Sequence, residues 1–122
     1  MSSVNNHIFW KNKRVLITGI RGFIGSHLAT DLEKKGAKVW GVSRSEEKEN
    51  ILNRNIIDYA KIDEVIKEKK IAICFHLAAE SLVESGQLDP YQTFKVNILG
   101  TLNILESARK HKLEKLIKIL HF

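Results

Sequence analysis

The sequence is short of several things, and each shortage narrows what it can be. It holds one cysteine, Cys74, in 122 residues. No intrachain disulfide can form, and a reducing compartment fits. Cys74 lies inside an apolar run, where a buried, inert thiol is expected rather than a nucleophile. No apolar run reaches the roughly 20 residues that a membrane helix needs. The first six residues are polar and carry no signal-peptide core. A cytoplasmic protein with no membrane partner is therefore expected. Acidic residues are outnumbered, 14 against 20 Lys and Arg, for a net charge of +6. The excess is spread over helical segments, around Lys61–Lys70 and Lys110–Lys118. It reads as solvated faces, and nucleic acid is not an expected partner. The five histidines share no metal-ligand spacing, so no metal is expected. His27 and His76 sit beside apolar neighbours and read as structural.

Glycine is also sparse, 7 residues in all, yet three fall in Val15-Leu-Ile-Thr-Gly-Ile-Arg-Gly-Phe-Ile-Gly25. An apolar run leads into Gly19, Gly22 and Gly25, and an amphipathic pattern follows. That is the layout of a strand, a phosphate-cradling turn and a helix N-terminus, where orphan N–H donors and the helix dipole favour an anion. A side chain at Gly19 or Gly22 would obstruct the phosphate or forbid the dihedrals of the turn. Gly25 would let the helix pack closely on its own strand. The stretch after the next strand is Ser43-Arg44-Ser45. NAD-preferring folds usually carry Asp or Glu there, to accept from the ribose hydroxyls. A guanidinium flanked by hydroxyls suits a 2′-phosphate instead, which points to NADP, with NAD possible.

Hydrophobic patterning predicts strands at Arg14–Thr18, Lys38–Ser43, Arg54–Ile57, Ile71–Leu77 and Lys115–Leu120. Residues 45–53 read as a loop or short helix. Helices are predicted from Gly22 to Lys35, with Gly36 as its stop, from Tyr59 to Lys69, and from Tyr91 to His111. The single proline, Pro90, follows Asp89 at the start of the last helix, a capped start. Phe23, Ile24, His27, Leu28 and Leu32 are expected on the inner stripe of the first helix. Phe94, Ile98, Leu102, Leu105 and Ala108 are expected as core on the last. Unbroken apolar strands linked by crossover helices imply an α/β fold, a doubly wound parallel sheet of Rossmann type with strand order 3-2-1-4-5. The ligand crevice then opens between strands one and four, where both the glycine turn and His76-Leu-Ala-Ala79 arrive. One dinucleotide-binding domain over residues 1–122 accounts for the length.

Three motifs carry a resemblance: Thr18-Gly-Ile-Arg-Gly-Phe-Ile-Gly-Ser-His27, His76-Leu-Ala-Ala79 and Asn97-Ile-Leu-Gly-Thr101. In this order and at these intervals they resemble the extended short-chain dehydrogenases/reductases, the NAD-dependent epimerase/dehydratase family, over about residues 13 to 117. Nucleotide-sugar 4,6-dehydratases look nearest. The resemblance implies a pyrophosphate lined by Gly19, Gly22, Phe23, Ile24 and Gly25. It places Ser43 and Arg44 at the adenosine ribose or its phosphate, and Asn55 and Ile56 at the adenine. Leu77, Ala78 and Ala79 would pass the ribose and nicotinamide half, and Asn97 would support the active site.

The resemblance further implies a reaction on a nucleotide sugar in which hydride leaves sugar C4 for the nicotinamide and later returns. In the family a Ser or Thr after strand five and a Tyr-x-x-x-Lys carry the acid–base work. The sequence ends at Phe122 before either, so no catalytic residue is assigned. Tyr91-Gln-Thr-Phe-Lys95 has the bare spacing but falls in the helix before strand five. The expectation is a fold truncated after about the fifth strand, without the substrate domain and inactive alone. A free-standing, non-catalytic nucleotide-binding module is the alternative. The helix from Tyr91 to His111 helps form a dimer interface in the family, which implies self-association.

Overall fold

The computed structural model describes residues 8–78 and 89–118. Five parallel strands form one sheet: β1 (Arg14–Thr18), β2 (Lys38–Ser43), β3 (Ile51–Asn53), β4 (Ile73–His76) and β5 (Lys115–Lys118). Their order is β3-β2-β1-β4-β5, as the patterning predicts. Three helices make the crossovers: α1 (Phe23–Lys34), α2 (Tyr59–Glu68) and α3 (Pro90–Lys110).

The sheet is buried on both faces because its central strands carry unbroken apolar runs, Val15–Ile17 in β1 and Ile73–Phe75 in β4. Val15 and Ile17 of β1 pack with Ala29 and Leu32 of α1, and with Val39, Ile73 and Phe75. Leu16, one residue out of phase, points the other way and packs with Ile62, Val65 and Ile66 of α2 and Ile104 of α3. Val15, Leu16 and Ile17 are all fully buried. A polar residue at any of the three would lose ~1.5–3 kcal/mol of burial energy. This is the doubly wound arrangement, with α1 on one face and α2 and α3 on the other.

Local chemistry sets the helix ends. Asp58 caps α2 by accepting from the Lys61 N–H at 3.3 Å, and Asp89 caps α3 by accepting from the Tyr91 N–H at 3.0 Å, with Pro90 in the first turn. No side chain caps α1, whose N-cap is Gly22. Gly36 ends the turn after α1 at φ +91°, and Lys70 and Lys112 take left-handed φ of +51° and +54° after α2 and α3.

Two expectations need correction here. The third strand is Ile51–Asn53, not Arg54–Ile57. Its register pairs Gly41 with Ile51 and Ser43 with Asn53. Residues 54–57 turn instead, because the Asn55 side chain accepts from the Ile57 N–H at 3.1 Å and the Asn55 carbonyl from the Asp58 N–H at 2.9 Å, a local bond that competes with pairing. The second correction concerns helix faces. On α1 the sheet-facing residues are Gly25, Ala29 and Leu32. Phe23 is 80% exposed and Ile24 50%. On α3 the inner face is Thr93, Val96, Gly100, Ile104 and Ser107, while Phe94, Ile98, Leu102 and Leu105 are exposed. Gly25, Ala29 and Gly100 take inner positions where the helices lie close to their neighbours, beside the larger Leu32, Val96 and Ile104. A side-chain carbon on Gly100 would sit 3.0 Å from Ile56 Cγ2. No helix of the described residues is long and apolar enough to cross a membrane.

Candidate functional site

The carboxyl ends of β1, β2 and β4 converge on a cavity of about 590 Å³. The register brings Thr18 level with both Val42 and His76, so the segments that follow those strands meet at one place. Gly19 takes φ +74°. A side-chain carbon there would lie 3.0 Å from the Ala78 nitrogen and 3.0 Å from the Leu77 carbonyl carbon. Two features thus require glycine: the left-handed dihedral and the close approach of the β4 exit. At Gly25 an added carbon would overlap the Gly19 carbonyl oxygen, so helix and turn touch backbone to backbone. At Gly22 the dihedrals are not what requires glycine. Its φ of −71° and ψ of 169° are open to any residue, but a side-chain carbon there would lie 3.3 Å from the Gly19 carbonyl oxygen, a tight fit against backbone.

A buried hydrogen-bond chain holds the two strand ends together. Thr18 Oγ1 accepts from the Ala78 N–H at 3.0 Å and lies 2.7 Å from His76 Nδ1. His76 Nε2 lies 3.0 Å from Thr101 Oγ1 on α3. The arrangement that leaves no buried proton unmatched has Thr18 donating to Nδ1 and His76 donating from Nε2. The imidazole is then neutral. Burial, with Lys118 adding to it, pushes its pKa down to about 4. Both ring nitrogens of His76 are thus engaged, while the residue also forms part of the cavity wall. Cys74 is fully buried and its thiol is pushed up to about 12 by that burial, so it is no nucleophile.

The β2 end of the cavity is cationic. Arg21, Arg44 and Arg54 all line it, beside Ser43 and Ser45. Arg21 Nη1 donates to Ser45 Oγ at 2.6 Å and Arg21 Nε lies 3.1 Å from Glu46 Oε1. Arg54 Nη1 donates to the Asn53 carbonyl at 2.9 Å. Its Nε is buried without a hydrogen-bond partner among the described residues.

Of the residues singled out in the sequence, Gly19, Ser43, Arg44, Ser45, Ile56, His76, Ala78 and Asn97 line the cavity together. Gly22, Phe23, Ile24 and Gly25 lie beside it at the start of α1 and form no part of its wall. Asn55 is exposed, its side chain engaged in the turn toward α2. Leu77 packs against the core on the α1 face. Ala79 falls outside the described residues. Sequence reasoning missed Ile20, Arg21, Val42, Arg54 and Val96 as wall residues. Arg21 had a signal, since it stands between two glycines of the turn. Arg54 and Val96 had none, because a helix face and the true end of β3 must be known first. Among the described residues, no three His, Cys, Asp or Glu side chains gather as a metal site.

Known proteins share this architecture. The chain is 34% identical over 116 residues to the CDP-glucose 4,6-dehydratase of Salmonella typhimurium, with 84% of this chain and 32% of that protein covered. The solved epimerase of Methanothermobacter thermautotrophicus superposes with a TM-score of 0.81 at 30% identity, over 95% of this chain and 37% of the other. The Thermus thermophilus UDP-glucose 4-epimerase, solved in complex with NAD, gives 0.74 at 34% identity, over 84% of this chain and 36% of that one. The chain thus spans about a third of the length of the relatives it matches. The family model described as the NAD dependent epimerase/dehydratase family matches residues 15–120, and the chain belongs to that family.

Proposed function

We propose that these 122 residues are the NADP-binding portion of a nucleotide-sugar 4,6-dehydratase or epimerase. The observation that carries the reading is the cavity itself. It lies where the strand order reverses, between a glycine turn with an uncapped helix start and a cationic end of three arginines. Two features fit a dinucleotide there. Side chains are excluded from the turn at Gly19 and Gly25, which leaves backbone donors open to a pyrophosphate. The Arg54 Nε–H is a buried donor lacking an acceptor among the described residues, which a ligand oxygen would satisfy.

In this reading Gly19, Gly22 and Gly25 admit the pyrophosphate to the start of α1, with Phe23 and Ile24 flanking it. Ser43 and Arg44 face the adenosine ribose and its 2′-phosphate. Ile56 packs on the adenine and Asn55 borders it. Leu77, Ala78 and Ala79 run along the nicotinamide half, and Asn97 steadies it from α3. The bound dinucleotide would supply a hydride acceptor for a sugar carbon. The nucleotide sugar itself is a partner of a longer enzyme. Tyr91 and Lys95 lie on the first turns of α3, with Tyr91 85% exposed, and neither lines the cavity. These 122 residues alone are therefore expected to bind and not to turn over sugar. The exposed apolar face of α3 supports self-association, with a second copy as its partner.

Calorimetric titration with NADP and NAD tests the reading. Binding of both, with NADP tighter, is expected. Undetectable binding of both dinucleotides overturns it. Robust sugar turnover by the 122 residues would overturn the assignment of the acid–base pair to residues outside them.

A further inference from the structure

We propose that Glu46 is an internal competitor for the adenosine 2′-phosphate, and that the Arg21–Ser45–Glu46 clasp at the cavity mouth sets how strongly NADP is favoured over NAD. The inference rests on the dinucleotide reading above and concerns residues that reading does not use. Arg21 sits in the turn after β1, and Ser45 and Glu46 sit in the segment after β2. Arg21 spans the two, with Nη1 on Ser45 Oγ at 2.6 Å and Nε 3.1 Å from Glu46 Oε1. The same Glu46 oxygen lies 3.7 Å from Lys48 Nζ. Ser45 is itself held by Ser43, whose Oγ accepts from the Ser45 N–H at 3.2 Å.

A guanidinium fork with adjacent hydroxyls is the donor set that a phosphate monoester takes. Here a carboxylate already occupies one side of that fork. Arg21 and Ser45 line the cavity while Glu46 holds Arg21 from behind. A 2′-phosphate entering beside Ser43 and Ser45 would share Arg21 with Glu46, two anions on one cation. Either Arg21 swings from Glu46 to the phosphate or the phosphate binds under repulsion. A ribose with free hydroxyls brings no charge and leaves the clasp closed. Glu46 therefore lowers the affinity for NADP without touching that for NAD, and the site holds both within reach of one another.

The test is calorimetry on the 122-residue chain with NADP, NAD and 2′,5′-ADP, the last being a probe of the phosphate subsite without the nicotinamide. Glu46→Gln is expected to tighten NADP and 2′,5′-ADP about fivefold, the scale of a partly exposed ion pair, with NAD changed by less than about twofold. Arg21→Ala is expected to weaken NADP and 2′,5′-ADP about tenfold and to spare NAD. Glu47→Gln, at the exposed neighbouring acid, is expected to change none of the three. An unchanged NADP-to-NAD ratio in Glu46→Gln, with both dinucleotides still bound, overturns the competitor role and leaves the dinucleotide reading intact. A selective loss of NAD affinity in that variant also overturns it, since Glu46 would then be an acceptor for ribose hydroxyls. Failure of the unaltered chain to bind any of the three probes removes the dinucleotide reading, and the competitor role falls with it.

Discussion

His76 shows how much one side chain settles. It is 2% exposed, and its two ring nitrogens lie against Thr18 and Thr101, so a single imidazole ties β1, β4 and α3 at the mouth of the cavity. Protonation would require both nitrogens to donate and would put a charge beside Lys118 with little water to screen it. The native pKa is accordingly about 4, against 6.5 for the free group. The native state disfavours the proton, so the unfolded chain binds more protons between those values. Stability from this source is fully present above about pH 6.5 and is lost as pH falls toward 4. The span corresponds to about 3 kcal/mol. Urea unfolding from pH 7.5 to 4.5 should show that fall. His76→Gln should be less stable at pH 7 and should flatten the dependence across this range. A slope unchanged in the variant would assign the titration to another group. The apolar run around residue 76 makes the histidine's burial legible in the sequence. The Thr18 and Thr101 partners are not, because they lie 58 and 25 residues away and meet it only through the sheet order.

At the scale of elements, strands were easier to read than helix faces. A continuous apolar run such as Val15–Ile17 admits one interpretation, burial on both sides. An amphipathic helix admits two, since a second apolar stripe can serve a second surface. In α3 Phe94, Ile98, Leu102 and Leu105 lie outward, while Thr93, Val96, Gly100, Ile104 and Ser107 lie inward, so size alone does not pick the buried face. The shift of β3 to Ile51–Asn53 has a similar cause, a side-chain bond at Asn55 that periodicity does not register. The two faces of α3 make opposite predictions. Ile104, fully buried against α2, should cost ~2–5 kcal/mol when changed to Ala, by loss of burial and the cavity left behind. Ile98→Lys, on the exposed face, should move stability by no more than ~0.5 kcal/mol. If a second copy covers that face, Ile98→Lys should also shift the chain toward monomer. Light scattering at high concentration reads this directly. A monomer already in the unaltered chain would remove the self-association reading and leave the stability contrast to stand alone.

Over the whole molecule, one sheet separates two apolar layers, and at its carboxyl edge both contribute to one surface. Ile20 belongs to the α1 layer and Val42 to the α2–α3 layer, yet both line the cavity. A ligand held there would rest on β1, β2, β4 and α3 together, so its binding free energy would oppose unfolding of either layer. For a ligand that binds only the native state, stability rises by RT ln(1 + [L]/Kd), about 2.7 kcal/mol at 100 times Kd. In a chain of this size that corresponds to a rise in Tm of roughly 10 °C. Thermal unfolding with graded NADP should show this shift in one transition, with near- and far-ultraviolet circular dichroism moving together. Leu32→Ala, in the layer under α1, and Ile66→Ala, in the layer under α2, should each lower Tm without NADP. Saturating NADP should raise both by a similar increment, because each retains the cavity wall. A shift confined to one variant, or two transitions in the unaltered chain, would mean that the layers unfold separately and that the cavity belongs to one of them.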